Sequence, residues 1–106
     1  MSPGFPHESL DAYTVSLGIA RWVRAQHFPA RCTALADQAV RASQSIVLNI
    51  AEGSGRGGAA GKNHFRIALG SAAELSAVLD LVDFADGAAR KIELNRVGAM
   101  LRALAR

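Results

Sequence analysis

The chain has 106 residues, of which 50% are hydrophobic and 20% charged, with a formal net charge of +3. This length allows one domain, and this composition excludes both an intrinsically disordered chain and a strongly cationic, histone-like protein. The single cysteine, Cys32, excludes an internal disulfide and a cysteine-based zinc site.

The amino-terminal segment, residues 1–7, has neither the basic stretch nor the apolar stretch of a secretory signal. No apolar run reaches the roughly 18 residues that a transmembrane helix requires. We therefore expect a cytoplasmic protein that does not contact a membrane. The chain is predicted to form a single domain over residues 1–106, with residues 1–7 flexible.

The spacing of apolar residues predicts two helices in the first half of the chain. The first runs from Glu8 to His27, and Pro29 stops it because proline cannot continue a helix. The second runs from Ala30 to Glu52, where apolar residues recur at intervals of three and four, the period of one helix face. These residues are Leu35, Ala39, Ala42 and Ile46.

The same spacing predicts two further helices, Ala60–Ala85 and Ala88–Arg106, separated by Gly87. Two short turns and one glycine-rich connection would join the four helices. Helices of this length with short connections pack as antiparallel neighbours. The sequence therefore predicts an all-α protein, an antiparallel up-down four-helix bundle.

The glycine-rich connection contains the pattern G-x-G-x-x-G from Gly53 to Gly58, which also occurs in dinucleotide-binding sites. Such a site needs a strand before the glycines and a second strand later, whereas the residues before Gly53 continue a helical period. A Walker A motif also fails, because Arg56 and Asn63 stand where glycine and serine or threonine are needed. We interpret the segment as a flexible helix connection with a left-handed cap at Gly53.

Four polar residues fall on the parts of the second and third predicted helices that would lie side by side. They are Asn49, Glu52, Ser71 and Glu74. Asn49 lies within the apolar face, where an unpaired amide would cost about 1–3 kcal/mol. We interpret the four as a structural polar cluster that fixes the alignment of the two helices. A remote alternative is a hydrolase in which Glu52 and Glu74 form a catalytic carboxylate pair.

The histidines and the cysteine show no pattern of a metal site or a nucleophile. His7, His27 and His64 lie in different predicted elements, and none has a partner at metal-ligand spacing. Cys32 has no neighbouring group that would activate its thiol. The sequence therefore predicts no metal, no cofactor and no enzymatic activity.

Three segments carry a recognisable pattern: Gln38–Ser43 reads QAVRAS, Asn49–Arg56 reads NIAEGSGR and Ile67–Leu75 reads IALGSAAEL. The pattern resembles the bacterial four-helix-bundle family encoded in intervening sequences of 23S rRNA, which includes the accessory variability determinant of diversity-generating retroelements. The resemblance implies an up-down bundle that assembles as a homopentamer without known enzymatic activity. For the retroelement branch it implies a basic pentamer that binds nucleic acid and a reverse transcriptase. Gly57–Gly61 departs from the family, which often has lysines and arginines there.

The charges are unevenly distributed along the chain. Residues 21–66 carry seven basic and two acidic side chains, whereas residues 67–89 carry four acidic and no basic ones. Arginines and lysines in such a zone are typical phosphate contacts. The candidate nucleic-acid-binding residues are Arg24, Arg31, Arg41, Arg56, Lys62 and Arg66.

These patterns predict a non-enzymatic homo-oligomer that acts as a scaffold or accessory protein and binds RNA or DNA through its basic surface. Its expected partners are further copies of itself, RNA or DNA, and a reverse transcriptase. The alternative is a protein–protein assembly module without a nucleic-acid role, in which basic and acidic zones of neighbouring subunits meet.

Overall fold

The computed structural model describes residues 4–106, which form four α-helices and no strand, confirming an all-α protein. The helices are α1 (Asp11–Ala25), α2 (Thr33–Arg56), α3 (Gly58–Leu81) and α4 (Gly87–Leu104). Within the described part of the chain, none of the helices is long and apolar enough to cross a membrane.

Short 3-10 turns precede the first two helices, which therefore begin later than predicted. Pro6–Ser9 forms one turn, so α1 begins at Asp11, and Ala30–Cys32 forms the other, so α2 begins at Thr33. Of the segment predicted to be flexible, residues 1–3 lie outside the described residues. Pro6 and His7 belong to the first turn, which the Glu8 carboxylate ties down by accepting the Phe5 N–H at 2.8 Å.

The connection between α2 and α3 corrects the prediction of a flexible glycine loop. The backbone remains helical through Gly53 to Arg56, and Gly57 is the single residue between the two helices. Gly57 and Gly58 have φ angles of 66° and 59°, which glycine adopts without a steric penalty. The predicted left-handed cap at Gly53 is wrong, because Gly53 is a buried helical residue whose carbonyl accepts the Gly57 N–H at 3.0 Å.

Gly53 and Gly61 allow α2 and α3 to approach closely next to this turn. A Cβ atom on Gly53 would lie 2.9 Å from the Gly61 carbonyl oxygen and 2.8 Å from the Phe65 ring. Both distances are shorter than real Cβ contacts. The two glycines therefore allow close packing between α2, which ends at this turn, and α3, which begins there.

The four helices contact one another in cyclic order: α1 with α2, α2 with α3, α3 with α4, and α4 with α1. Asn49 meets His64 and Ser45 meets Ser71, so positions further along α2 meet earlier positions of α3. These contacts are consistent with the predicted antiparallel up-down order. The α1/α2 side then lies opposite the α3/α4 side.

The core fills the space between the helices with aliphatic side chains. The largest fully buried ones are Ile19, Val23, Ile46, Ile50, Leu75, Val97 and Leu101. One end of the bundle is closed by Trp22, Phe28 and Phe84, whose rings pack edge to face at centroid distances of 5.5 and 5.0 Å. We call this end, defined by the three rings, the aromatic end, and the end that contains Gly57 the turn end.

Candidate functional site

A chain of polar side chains runs across the contact between α2 and α3. The Asn49 amide nitrogen donates to the Ser45 backbone oxygen at 2.9 Å and to Ser45 Oγ at 3.1 Å. Ser45 Oγ also accepts the Ser71 hydroxyl at 2.8 Å. The Asn49 oxygen therefore faces His64 Nδ1, which donates to it at 2.8 Å. These half-buried groups satisfy one another and align the two helices.

The polar chain ends at the surface in an ion pair. His64 Nε2 lies 3.8 Å from Glu52 Oε2, which is too far for a hydrogen bond. Glu52 instead accepts the Arg56 Nε–H at 2.9 Å, and the two side chains are 46% and 57% exposed. An exposed pair of this kind contributes little to stability, so its charges remain available to solvent and ligands.

Three of the four predicted cluster residues, Asn49, Glu52 and Ser71, lie together in the structure, and two residues outside the prediction connect them. Ser45 links Asn49 to Ser71, and His64 lies between Asn49 and Glu52. Ser45 could have been found from its position one turn before Asn49, since side chains four residues apart meet on a helix. The contact of His64 with Asn49 could be predicted only if the position of the turn at Gly57 were known.

Glu74 lies apart from this cluster. Its side chain is exposed and makes no hydrogen bond or ion pair within residues 4–106. Because Ser71 meets Ser45, Glu74 lies beside the part of α2 near Arg41, roughly 16 Å along the helix from Glu52 at 1.5 Å per residue. The carboxylate pair that a hydrolase would need is therefore not formed.

The six predicted nucleic-acid-binding residues are all exposed, but they fall into two groups at opposite ends. Arg56, Lys62 and Arg66 lie at the turn end. The other three lie towards the aromatic end: Arg24, Arg31 and Arg41. Arg41 and Arg56 are 15 residues apart on α2, about 22 Å along the helix axis, and Arg24 and Arg31 lie further towards the aromatic end. The two groups do not form one continuous surface.

Two further arginines join the turn end because α4 finishes there. Arg66 Nη2 donates to the Ala105 backbone oxygen at 3.0 Å, which holds the carboxyl end of α4 beside the first turns of α3. Arg102 and Arg106 thereby reach the same end. We define the basic cluster as these two arginines together with Arg56, Lys62 and Arg66. Arg102 and Arg106 were not among the predicted binding residues, because they are about 40 residues away from Lys62 in the sequence.

The basic cluster is not balanced by nearby acidic side chains along its two segments. Residues 53–73 and 94–106 contain no aspartate or glutamate. Acidic residues do lie at this end, among them Glu52, which pairs with Arg56, and Asp11, which lines a groove with Ala103 and Leu104 at the end of α4. The turn end is therefore a surface of predominantly positive charge.

The aromatic end carries both signs of charge on opposite sides. Arg21 and Arg24 border a groove between α1 and α2 of about 420 Å³. On the other side, Glu74 and Asp80 lie on α3, and Asp83 lies in the connection that follows. Asp80 pairs with Lys91. This end is polarised from one side to the other, whereas basic side chains outnumber acidic ones at the turn end.

The remaining histidines and Cys32 do not converge. His7 packs against Tyr13 at a centroid distance of 4.5 Å, His27 is exposed and Cys32 is half-buried and free. Within residues 4–106, no group of three or more histidine, cysteine, aspartate or glutamate side chains could hold a metal ion.

Comparison with known protein families gives one match. The model of the family described as 23S rRNA-intervening sequence protein matches residues 8–102, from before α1 into the last turn of α4. Searches of curated proteins and of solved structures gave no match.

Proposed function

Since the chain belongs to the 23S rRNA-intervening sequence protein family, we propose that it is a non-enzymatic scaffold that assembles from identical copies and binds RNA or DNA through its basic cluster. In this proposal the chain is an antiparallel up-down bundle in the bacterial cytoplasm, and five copies form the assembly, as the resemblance implies. The observation that carries the nucleic-acid role is the convergence of five basic side chains at the turn end.

The chemistry of the basic cluster suits a polyanionic ligand. Arginine and lysine contact phosphate oxygens without reading the base sequence, and each contact releases counterions from the nucleic acid. Lys62 and Arg106 make no side-chain hydrogen bond or ion pair within residues 4–106, so a phosphate would not have to displace an internal partner. In a cyclic assembly the basic clusters of all copies would lie on one face and act together.

The salt dependence of binding tests this role. We expect a labelled single-stranded RNA to bind at low salt, with affinity falling linearly on a logarithmic salt scale. The variant Lys62→Gln/Arg106→Gln should bind roughly tenfold more weakly and reduce the salt slope by about two, since each lost phosphate contact reduces it by about one. Fluorescence anisotropy at several salt concentrations measures both quantities.

A matched variant controls for net charge. Arg31→Gln/Arg96→Gln removes two exposed arginines outside the basic cluster, and we expect its affinity to stay within about threefold of the wild type. Equal losses in both variants would mean that net charge alone attracts the RNA. Absence of binding at the lowest salt would contradict the nucleic-acid role and leave the protein-assembly module as the function.

The polarised aromatic end favours that second candidate, because opposite charges on opposite sides suit contacts between subunits. A reverse transcriptase is a further proposed partner, taken from the retroelement branch of the resemblance. Co-purification of the two proteins from cells expressing both, with and without nuclease treatment, would distinguish direct contact from contact through RNA.

A further inference from the structure

The hydrogen bonds of Asn49 fix which nitrogen of the His64 ring carries the hydrogen in the neutral form. The Ser45 backbone oxygen can only accept a hydrogen bond, so the Asn49 group that meets it at 2.9 Å is the amide nitrogen. The Asn49 oxygen therefore faces His64 Nδ1 at 2.8 Å, and Nδ1 carries the hydrogen. In the neutral ring the other nitrogen, Nε2, then holds a lone pair.

Nε2 of His64 lies beside a carboxylate. It is 3.8 Å from Glu52 Oε2, the carboxylate oxygen in ion-pair range of the ring within residues 4–106. Both atoms are acceptors while the ring is neutral, so no hydrogen bond joins them. A proton on Nε2 makes it a donor and the ring a cation, and Nδ1 continues to donate to Asn49. Protonation therefore adds an ion pair here and leaves the alignment of the two helices unchanged.

Glu52 already has a partner in the basic cluster. The oxygen that accepts the Arg56 Nε–H at 2.9 Å is Oε2, the same atom that lies 3.8 Å from His64. A protonated ring competes for this oxygen and neutralises the charge of the carboxylate, which weakens its hold on Arg56. The guanidinium group of Arg56 then becomes available to a phosphate, which it can contact through two nitrogens.

The other charged groups near His64 do not pair with the ring. On α3, Lys62 and Arg66 stand two residues before and after it, and residues two apart on a helix do not face each other. On α2, the charged groups are the ion pair just described. The elements before α1 and at the two ends of the bundle's outer helices contribute charged residues that form no ion pair with His64: Glu8, Asp11, Arg102 and Arg106.

We propose that protonation of His64 strengthens the binding of nucleic acid by the basic cluster. Histidine is the side chain that ordinarily changes charge between about pH 5 and about pH 8. Mild acidification therefore adds a positive charge beside the cluster and releases Arg56 from Glu52. A bound polyanion favours the protonated ring in return, because the two binding events are linked. The inference rests on the proposed nucleic-acid binding and adds its regulation by pH.

The pH dependence of binding tests the role of His64. A labelled oligouridylate is the probe, because uracil, unlike cytosine and adenine, gains no proton under mildly acidic conditions. At constant ionic strength its affinity for the wild type should rise at least threefold from about pH 8 to about pH 5.5. The salt slope should grow by about one, since one further phosphate contact forms. His64→Gln should bind at both pH values as weakly as the wild type does at about pH 8, as measured by fluorescence anisotropy with a dye that is insensitive to pH.

The two other histidines provide matched controls. His27 is exposed after α1, towards the aromatic end, and His7 packs on Tyr13 in the turn before α1. Neither forms an ion pair with Glu52. His27→Gln and His7→Gln should therefore keep the pH dependence of the wild type. A loss as large as that of His64→Gln in both controls would mean that overall charge strengthens binding, and it would overturn the proposal.

A substitution of the carboxylate tests the same contact independently. Glu52→Gln removes the charge that holds Arg56, and its side chain is 46% exposed, so folding does not depend on it. At about pH 8 this variant should bind at least threefold more tightly than the wild type, because its local charge equals that of the wild type with a protonated His64. Asp37→Asn, which removes an exposed carboxylate near the other end of α2, should not.

The outcomes separate this inference from the proposed function. Circular dichroism checks that each variant remains helical, and Glu52→Gln decides the matter if His64→Gln does not fold. Binding that is independent of pH in the wild type, an unchanged pH dependence in His64→Gln, or no gain in Glu52→Gln overturns the role of His64 and leaves nucleic-acid binding standing. Absence of binding at every pH overturns both.

Discussion

Asn49 shows how one side chain can set the alignment of two helices. Its amide reaches Ser45 on α2 and His64 on α3, and Ser45 in turn holds Ser71. The polar residue in an apolar helix face was visible in the sequence, because the 3-4 spacing places position 49 inward. Its partner on α3 was not, since that pairing depends on where the chain turns.

Removal of the Asn49 side chain should destabilise the protein. Asn49→Ala leaves the His64 N–H without its acceptor in a half-buried position, so we expect the free energy of unfolding to fall by about 1–3 kcal/mol. Gln38→Ala, at an exposed position of the same helix, should change it by less than about 0.5 kcal/mol. Urea unfolding followed by circular dichroism measures both values, and similar losses would contradict the role of the amide.

The α2–α3 pair shows what the sequence predicts about an element and where the prediction fails. Apolar spacing predicts both helices but places their boundaries at Glu52 and Ala60, because glycine disfavours the interior of a helix. In the structure, Gly53 and Gly61 serve close packing, while Gly57 and Gly58 supply the positive φ angles. Composition alone does not separate these two uses of glycine, because both depend on contacts made after folding.

A pair of glycine substitutions in α3 distinguishes the two uses. In Gly61→Ala the new methyl group would press on the Gly53 backbone oxygen, and we expect a loss of about 1–3 kcal/mol in unfolding free energy. In Gly70→Ala the methyl group meets nothing within 4 Å, so a gain of up to about 1 kcal/mol should result. A tolerated Gly61→Ala would mean that the helices separate without cost.

On the scale of the whole molecule, folding brings together charged residues that are far apart in the sequence and separates others that are close in it. The basic zone over residues 21–66 separates into two groups, whose members on α2, Arg41 and Arg56, are about 22 Å apart along the helix. Arg102 and Arg106 join one of these groups through the contact between Arg66 and Ala105. The net charges of successive segments predict that charge is unevenly distributed over the surface. They could not predict which charges share an end, because that follows from the direction of each helix.

Closure of the aromatic end is a property of the whole bundle, since Phe84 in the α3–α4 connection packs on Trp22 and Phe28. Phe84→Ala removes both ring contacts, and we expect a loss of about 2–4 kcal/mol in unfolding free energy. Phe5→Ala provides the comparison, because Phe5 is 73% exposed and should matter by less than about 0.5 kcal/mol. Thermal unfolding monitors both, and an unchanged melting temperature for Phe84→Ala would contradict closure by the rings.

The single-residue turn at Gly57 has an electrical consequence. Helix α2 ends with a partial negative charge of its backbone dipole, and α3 begins with a partial positive charge of similar size. With one residue between them, these partial charges lie side by side and largely cancel. The field that a polyanion meets beside this turn therefore comes from side chains, and substitution of those side chains is sufficient to remove it.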